Sequence, residues 1–332
     1  MKTNETSHET YKSSVLGGVG KYFKENLGIL IAFIIICFII SVLSPVFFTS
    51  DNAFSVLRQV STNANLALGM MLVIILGGID LSVGAVVALS GTITVGLIVN
   101  NGMNVWIAAL CGVVLGTFGG LVNGVIIAYT RMAPFIVTMS VMNIARGAAY
   151  IYSNGLPIRS FDESFAKIGT GYLGVIPLPV IYMIFFIVVI TVLLSRTKFG
   201  TYVYALGGNR DAANFSGVPV KKVEVLVYTI SGFLSAFAGV VLASRMYSAQ
   251  PSVSQGAEMD AIAACVLGGV SMSGGLGKVG SVVVGVLIVG IISNGLNLLN
   301  VNSFWQLIVK GAIVLLAVYV DILKKKKIFK DA

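Results

Sequence analysis

The feature that most constrains this chain is a series of long apolar runs, several of them with about 18 or more residues. Runs of this length can cross the hydrocarbon core of a bilayer as α-helices. Only 11% of the 332 residues are charged, against roughly 25% in a soluble domain. We therefore predict an all-α, polytopic membrane protein, because a β-barrel would show short segments of alternating polarity instead.

The apolar runs predict about ten transmembrane helices in a single domain, residues 27–323. A polar tail, 1–26, precedes this domain, and a basic tail, 324–332, follows it. The eighth span begins with Glu258 and Asp260 and covers only about 22 Å at 1.5 Å per residue, so we expect its neighbours to shield it. The ten spans are expected near 27–44, 61–78, 83–99, 104–128, 134–152, 177–195, 223–244, 257–270, 280–298 and 304–323.

The distribution of basic residues predicts that both termini are cytoplasmic. With that orientation, sixteen lysines and arginines lie in cytoplasmic segments and four lie in outer loops, Arg58, Arg159, Lys167 and Arg245. Such a bias sets membrane topology. The net charge of +9 therefore indicates contact with anionic lipids, for instance at Lys324–Lys327, and no nucleic acid partner.

The stretch "LGGIDLSVGAVVALSG" places the carboxylate of Asp80 between two apolar runs. In the predicted topology it lies in a tight cytoplasmic hairpin, at a membrane surface. Gly77 and Gly78 end one helix, and Asp80 or Ser82 can cap the next through an oxygen that accepts from free N–H groups. We expect this capping role, and the alternative is a role in transport.

A long cytoplasmic segment, 195–223, contains "GGNRDAANFSG", which predicts a short helix. Asn209 can cap this helix, and Gly217 followed by Pro219 ends it. Flanking basic residues hold the segment at the lipid surface, so the short helix is a suitable contact for a soluble partner. The alternative is an ordinary basic loop.

Several motifs exclude enzymatic chemistry. "GGLGKVG" contains G-x-G-x-x-G at Gly275, Gly277 and Gly280, but a dinucleotide fingerprint needs a preceding strand and a βαβ unit. The sequence contains no P-loop motif either. The three cysteines lie in apolar runs without metal-ligand spacing. We therefore expect no catalytic residues, no metal and no cofactor. Gly112, Gly116, Gly120 and Gly124 recur every four residues and predict close helix packing.

Polar side chains cluster on the predicted outer side. Neutral amides suit a solute rich in hydroxyl groups, whereas mixed charges suit the docking of a soluble protein. Interhelical hydrogen bonding is the alternative role for Asn294 and Asn297. The candidate pathway residues are Asn65, Asp80, Ser82, Asn294 and Asn297. The candidate docking residues are Arg58, Asp162, Glu163, Gln250, Gln255 and Glu258.

The chain resembles the membrane permeases of ribose-type ABC sugar importers from about Leu27 to Asp321. The resemblance is carried, in order, by "LGGIDLSVG", "PFIVTMSVMNIARG", "RTKFGTYVYALGGNRDAANFSGV", "YSAQPSVSQGAEMDAIAACVLGGVSMSGGLGKVGS" and "NGLNLLNVNSFWQLIVKGAIVLLAVYVD". It implies a type II, vitamin B12 importer-like bundle in the bacterial plasma membrane, transporting ribose or a related small sugar.

The resemblance also implies the partners. It implies a homodimer around a central pathway, a cytoplasmic ABC ATPase and an extracytoplasmic sugar-binding protein. The short helix would be the coupling helix that fits a groove on the ATPase. Its residues are Gly208, Asn209, Arg210, Asp211, Ala212, Ala213, Asn214, Phe215, Ser216 and Gly217.

The alternative function is an ion-coupled secondary sugar transporter that uses Asp80 as a proton or sodium site. Such carriers place coupling carboxylates near the membrane midplane. The charged candidates predicted away from the ends of spans are Arg146 and Lys310, both basic, so the pattern favours the ABC permease. An intramembrane enzyme would need a nucleophile–base pair or metal ligands.

Overall fold

A computed structural model describes residues 27–330, and the predicted amino-terminal tail, 1–26, and the last two residues lie outside the described part. The described chain is almost entirely helical. Its helices are α1 Leu27–Leu43, α2 Ser50–Ile75, α3 Val83–Asn101, α4 Val105–Thr130, α5 Pro134–Tyr152, α6 Glu163–Thr170, α7 Leu178–Arg196, α8 Lys198–Gly208, α9 Arg210–Phe215, α10 Val220–Arg245, α11 Ala257–Leu267, α12 Val279–Leu298 and α13 Ser303–Lys330.

Each of the ten predicted apolar spans coincides with a helix, but some boundaries differ. The second helix begins at Ser50, eleven residues before the predicted start, because polar side chains at its start pack against α12 and the 44–49 turn. Helix α11, which corresponds to the eighth predicted span, ends at Leu267 and is shorter than predicted. The last helix continues to Lys330, so the predicted basic tail is largely helical. Helix α8 lies inside the segment predicted as a loop.

Five of the described helices are long and apolar enough to cross a membrane by length and composition: α3, α4, α7, α10 and α12. Other helices, such as α11 with 11 residues, are shorter. The chain is therefore a multi-pass helical membrane protein.

The connections gather at two ends of the bundle, which we name by what they carry. The α9 end carries α8, α9 and the loops after α2, α4 and α11. The sheet end carries two small antiparallel pairs, β1 (Ile158–Arg159) with β4 (Ser248–Ala249) and β2 (Tyr172–Leu173) with β3 (Ile176–Pro177). The first pair ties the segment after α5 to the segment after α10.

Helix α10 lies at the centre of the bundle, in contact with α2, α3 and α4. The predicted glycine stripe lies on α4 and contacts α10. A Cβ atom on Gly120 would collide with the carbonyl of Tyr228 and with Gly232, and one on Gly116 would collide with Ala236. Helices lack a hydrophobic drive to associate in lipid, so this close backbone approach stabilises the pair by van der Waals contact. The packing interpretation of the stripe is confirmed.

We expect Gly120→Val to destabilise the folded permease by at least about 1–3 kcal/mol, because the colliding atoms belong to the backbone of α10 and cannot move aside. Gly311→Ala in α13 is the matched control, since a Cβ atom there meets nothing within 4 Å. Thermal unfolding in detergent measures both variants. Equal midpoints for Gly120→Val and the wild-type protein would contradict the packing role.

Candidate functional site

The short helix α9 projects from the bundle as the sequence predicts. The Asn209 side chain caps it by accepting a hydrogen bond from the Ala212 amide at 2.9 Å. Gly217, with φ of 82°, ends it in the left-handed conformation. Ala213 is the buried residue of the helix, whereas Phe215 is 90% exposed. The short helix therefore presents an exposed aromatic ring at the α9 end of the bundle.

Arg210 joins α9 to the central helix α10 through an ion pair with Glu224. The guanidinium donates from Nε to Oε1 at 2.8 Å and from an Nη atom to Oε2 at 3.1 Å. Such a bidentate pair fixes orientation as well as distance. The hydrogen bond to Glu224 raises the pKa of Arg210. Sequence reasoning missed Glu224, because its pairing requires the fold of the 216–219 turn.

Three polar side chains follow one face of α10 from this ion pair into the bundle. Glu224, Tyr228 and Ser231 are spaced four and three residues apart, which places them on one helix face. Tyr228 is 1% exposed, and its hydroxyl lies beside Gly78, where it would collide with an added Cβ atom. A cavity of about 240 Å³ is lined by Arg210 and Glu224 and also by Gly77 and Gly78.

Asp80 forms the inner end of this row and is 1% exposed. Its Oδ1 atom accepts from the Ser82 amide at 3.0 Å and the Ser82 hydroxyl at 2.6 Å, and its Oδ2 atom accepts from the Ser231 hydroxyl at 2.8 Å. Ser231 lies eleven residues into α10, about 16 Å from the start of the helix. The carboxylate is therefore buried beside the middle of a helix, in the hairpin loop predicted to carry it, and its place at a membrane surface stays a prediction.

Of the two residues predicted to cap α3, Asp80 accepts from the free Ser82 amide just before the helix, whereas the Ser82 side chain does not cap it. Ser82 is the N-cap of α3, but its side chain makes no cap hydrogen bond, because its backbone is already helical (φ −77°, ψ −15°). Its hydroxyl instead donates to Asp80 and accepts from the Asn123 amide at 2.9 Å. The prediction that glycines end α2 is confirmed, since Gly77 is left-handed and its amide donates to the Ile74 carbonyl.

The loop that carries Asp80, residues 76–82, is held from two further sides. The Thr138 hydroxyl at the start of α5 donates to the Ile79 carbonyl at 3.1 Å. The rejected dinucleotide motif packs at the base of the loop, where the Gly275 amide donates to the Ile75 carbonyl at 2.8 Å. The Tyr204 hydroxyl of α8 donates to the Gly277 carbonyl at 2.7 Å. Gly275 of that motif therefore serves close backbone packing against Gly208 of α8.

The candidate pathway residues do not form one site. Asp80 and Ser82 lie together, but Asn294 and Asn297 lie toward the sheet end. Asn294 is 7% exposed and exchanges two side-chain hydrogen bonds with Asn52, at 2.8 and 3.2 Å, so the interhelical alternative is confirmed for it. Asn65 is 3% exposed, and its Oδ1 atom has no hydrogen-bond partner in the described part.

A polar cleft of about 590 Å³ opens at the sheet end and contains one candidate from each set, Arg58 and Asn297. Arg58 donates to the Tyr172 hydroxyl, and its guanidinium lies 5.2 Å from the centre of that ring. Asn297 accepts from the Gln306 amide at 2.8 Å. Arg245 adds a second positive charge to the wall. The cleft suits hydroxyl or carboxylate groups.

The other docking candidates lie on the two segments that β1 and β4 join. Asp162 caps α6 by accepting from the Phe165 amide at 2.9 Å, which is a structural role, and Glu163 beside it is exposed. Gln250 and Gln255 lie in the turns after β4, and Gln255 is exposed. Glu258 is half-buried and accepts from the Gly256 amide at 3.2 Å.

The basic residues predicted within spans both have partners. Arg146 of α5 donates to the carbonyls of Pro251 and Val253 at 2.8 and 2.7 Å. Lys310 of α13 forms an ion pair with Asp260 at 2.7 Å. Both side chains therefore fasten the sheet end to the bundle, which explains why the spans tolerate them.

Helix α5 carries a polar residue that sequence reasoning missed. Asn143 is the tenth of its 19 residues and is exposed, with no side-chain hydrogen bond among the described residues. An amide transferred to hydrocarbon without a partner costs about 4–8 kcal/mol. Its mid-span position was visible in the sequence, but its exposure depends on which face of α5 packs against α3.

Comparison with known proteins places the chain in a family. Residues 52–318 match the family described as "Branched-chain amino acid transport system / permease component". The chain is 45% identical over 299 residues to the ribose import permease protein RbsC of Bacillus subtilis (strain 168), covering 90% of this chain and 92% of the relative.

Further relatives agree with this match. The identity is 44% over 296 residues to RbsC of Escherichia coli (strain K12), covering 88% and 92% of the two chains. It is 39% over 302 residues to the L-arabinose transport system permease protein AraH of the same organism, covering 91% and 92%. No solved structure matches the chain. The chain therefore belongs to the permease component family named above, and it is a membrane permease subunit of an ABC importer and not an enzyme.

Proposed function

We propose that this permease subunit imports a small sugar, ribose in the first instance, across the bacterial plasma membrane. The ribose permeases at 44–45% identity over about nine-tenths of the chain support ribose over other sugars. The cleft at the sheet end also fits a sugar, because hydroxyl, amide and arginine side chains line it and can bond to hydroxyl groups. Such groups can donate hydrogen bonds to, and accept them from, the hydroxyls of a sugar.

The energy source in this proposal is a separate cytoplasmic ABC ATPase that contacts α9. The observation that carries it is the capped helix itself: Phe215 is 90% exposed, while Arg210 of the same helix is paired with Glu224 of α10. One helix thus offers a free surface to a partner and a charged link to the centre of the bundle. The α9 end is then cytoplasmic, in agreement with the bias of basic residues.

The complete transporter in this proposal contains two copies of the permease, each a ten-span bundle of the type II class. A sugar-binding protein delivers its ligand to the sheet end, where Glu163 and Gln255 are exposed. Membrane lipids surround the apolar outer faces. ATP binding shifts the transporter between two conformations only if nucleotide binds one of them better.

The row along α10 is the route by which α9 acts on the bundle. Displacement of α9 moves Glu224, and the same rigid helix face carries Ser231, which holds Asp80. The loop of Asp80 is bonded to Thr138 of α5. Coupling between distant sites needs such a contiguous set of contacts with two arrangements. The proposal therefore makes Asp80 a positioning residue, not an ion-binding site.

We predict that ribose uptake into vesicles containing the permease, its ATPase and its binding protein requires ATP on the cytoplasmic side and continues in a protonophore. Nucleotide energy, not an ion gradient, drives the transport. The measurement is the uptake of labelled ribose with and without ATP, and with and without the protonophore. Accumulation by the permease alone, without an ATPase, would contradict the proposal and favour the ion-coupled alternative.

We predict that Arg210→Glu lowers ribose uptake roughly tenfold, since a hydrogen bond to a charged group contributes about 1.5–3 kcal/mol and each 1.4 kcal/mol is a factor of ten. The reversed pair, Arg210→Glu with Glu224→Arg, should recover much of the uptake. Glu224→Arg alone should lower uptake as Arg210→Glu does, which completes the double-mutant cycle. Failure of the reversed pair to exceed the single variant would count against the ion pair as the link.

We predict that Ser231→Ala destabilises the permease by about 1.5–3 kcal/mol, because it removes a donor from a buried carboxylate. Ser235→Ala is the matched control: Ser235 lies one turn further on, is equally buried, and its hydroxyl has no partner among the described residues. Thermal unfolding and stimulated ATP hydrolysis measure the two variants. The same unfolding midpoint for both variants would show that the hydrogen bond from Ser231 to Asp80 does not stabilise the permease.

A further inference from the structure

Four long helices of the bundle, α1, α4, α7 and α13, expose mainly apolar side chains along their middle. The exposed faces of α1, α4, α7 and α13 present large apolar side chains, for example Phe38, Phe118, Phe185 and Leu315. Such faces suit lipid tails. The exposed Thr191 hydroxyl of α7 donates to the Ile187 carbonyl of its own helix, so it also tolerates lipid.

The exposed face of α5 is different in its middle. Ser140, Asn143 and Gly147 follow one another at spacings of three and four residues, on a single helix face. Ser140 and Asn143 are exposed, and a Cβ atom on Gly147 would meet nothing within 4 Å. The Ser140 hydroxyl is satisfied by the Ile136 carbonyl at 2.8 Å. The Asn143 amide has no partner in the part of the chain that the structure describes.

The position of Asn143 makes contact with lipid unfavourable. It lies nine residues from the start of a 19-residue helix, about 14 Å from either end. No polar group can be left unsatisfied at that depth, unless it faces protein or a water-filled cavity. In addition, α5 is not among the five helices apolar enough to qualify as spans by composition.

We propose that the Ser140–Asn143–Gly147 face of α5 lines the sugar pathway, opposite the same face of a second copy of the permease. This inference rests on the proposed function and assigns the pathway to residues outside the earlier candidate set. The site is incomplete in one chain, because one copy provides only one wall.

The chemistry of this face selects a neutral, polyhydroxylated ligand. An amide offers two donors and an acceptor to neighbouring hydroxyls, and a glycine beside it leaves space. The one charged neighbour, Arg146, is directed to the carbonyls of Pro251 and Val253, so it is not free to attract an anion. Large apolar side chains flank the polar positions, among them Ile144, which is 70% exposed.

The pathway face is also connected to the α9 end. The opposite side of α5 is buried against α3, and its first turn bonds to the Asp80 loop through Thr138. A shift of that loop therefore moves α5 as a unit. Movement of α5 changes the width of a pathway that two such helices enclose.

The test compares cysteine variants at Asn143 and Thr191 in the complete transporter with ATPase and binding protein. A charged, water-soluble methanethiosulfonate reacts with thiolates, which form in water but not in lipid. We expect Asn143→Cys to react at least about tenfold faster than Thr191→Cys, above the background of the native cysteines, and ribose to slow the reaction. Equal rates for the two variants in both nucleotide-free and ATP-bound states would overturn the proposal.

Transport provides the second measurement. We expect Asn143→Leu to lower ribose uptake about tenfold or more while binding-protein-stimulated ATP hydrolysis stays within about twofold of wild type. Asn143→Ser, which keeps a hydroxyl, should retain more uptake, and Thr191→Leu should behave as wild type. Wild-type uptake by Asn143→Leu would overturn the pathway assignment alone. Absence of sugar uptake by the wild-type complex would overturn the proposed function, whereas the labelling rates still test the exposure of α5 to water.

Discussion

The burial of the Asp80 carboxylate is the constraint on which the α9 end of the molecule depends. A charge or a polar acid away from water needs hydrogen-bond donors on both oxygens. Ser82 supplies two of them and Ser231 the third. These bonds tie the 76–82 loop to the middle of α10, and Asn123 extends the network to α4 through Ser82. Removal of the carboxylate would leave two hydroxyls and one backbone amide without their acceptor in a buried place.

This network explains why α10 can serve both stability and movement. Its glycine and serine positions allow close contact with α3 and α4, which packs the three helices tightly together. Its first turn carries Glu224, which α9 holds through Arg210. Its last residue, Arg245, lines the cleft at the sheet end. A single rigid helix therefore reaches from the proposed ATPase contact to the proposed sugar entrance.

The sequence predicts the parts of this architecture that depend on local chemistry. Hydropathy located the helices, and capping and stop signals located α9, since Asn209 and Gly217 act on their immediate neighbours. The hydrogen bond from Ser231 to Asp80 was not predicted, because the two residues are 151 positions apart. Glu224 and Asn143 were missed for related reasons. Tertiary packing decides that Glu224 pairs with Arg210, and it also decides that Asn143 is exposed. Periodicity alone does not state which helix face meets protein.

The small number of polar groups on α5 fits the needs of a transport pathway. A solute must be able to leave a pathway as well as enter it, so binding along it has to be weak. One amide from each copy provides hydrogen bonds that replace part of the hydration of a sugar without trapping it. The high selectivity of import is then expected to reside in the binding protein, and α5 supplies a passage that admits neutral hydroxyl-rich solutes. The two roles are separable, because a change at Asn143 alters passage through the bundle while the surface that receives the binding protein remains intact.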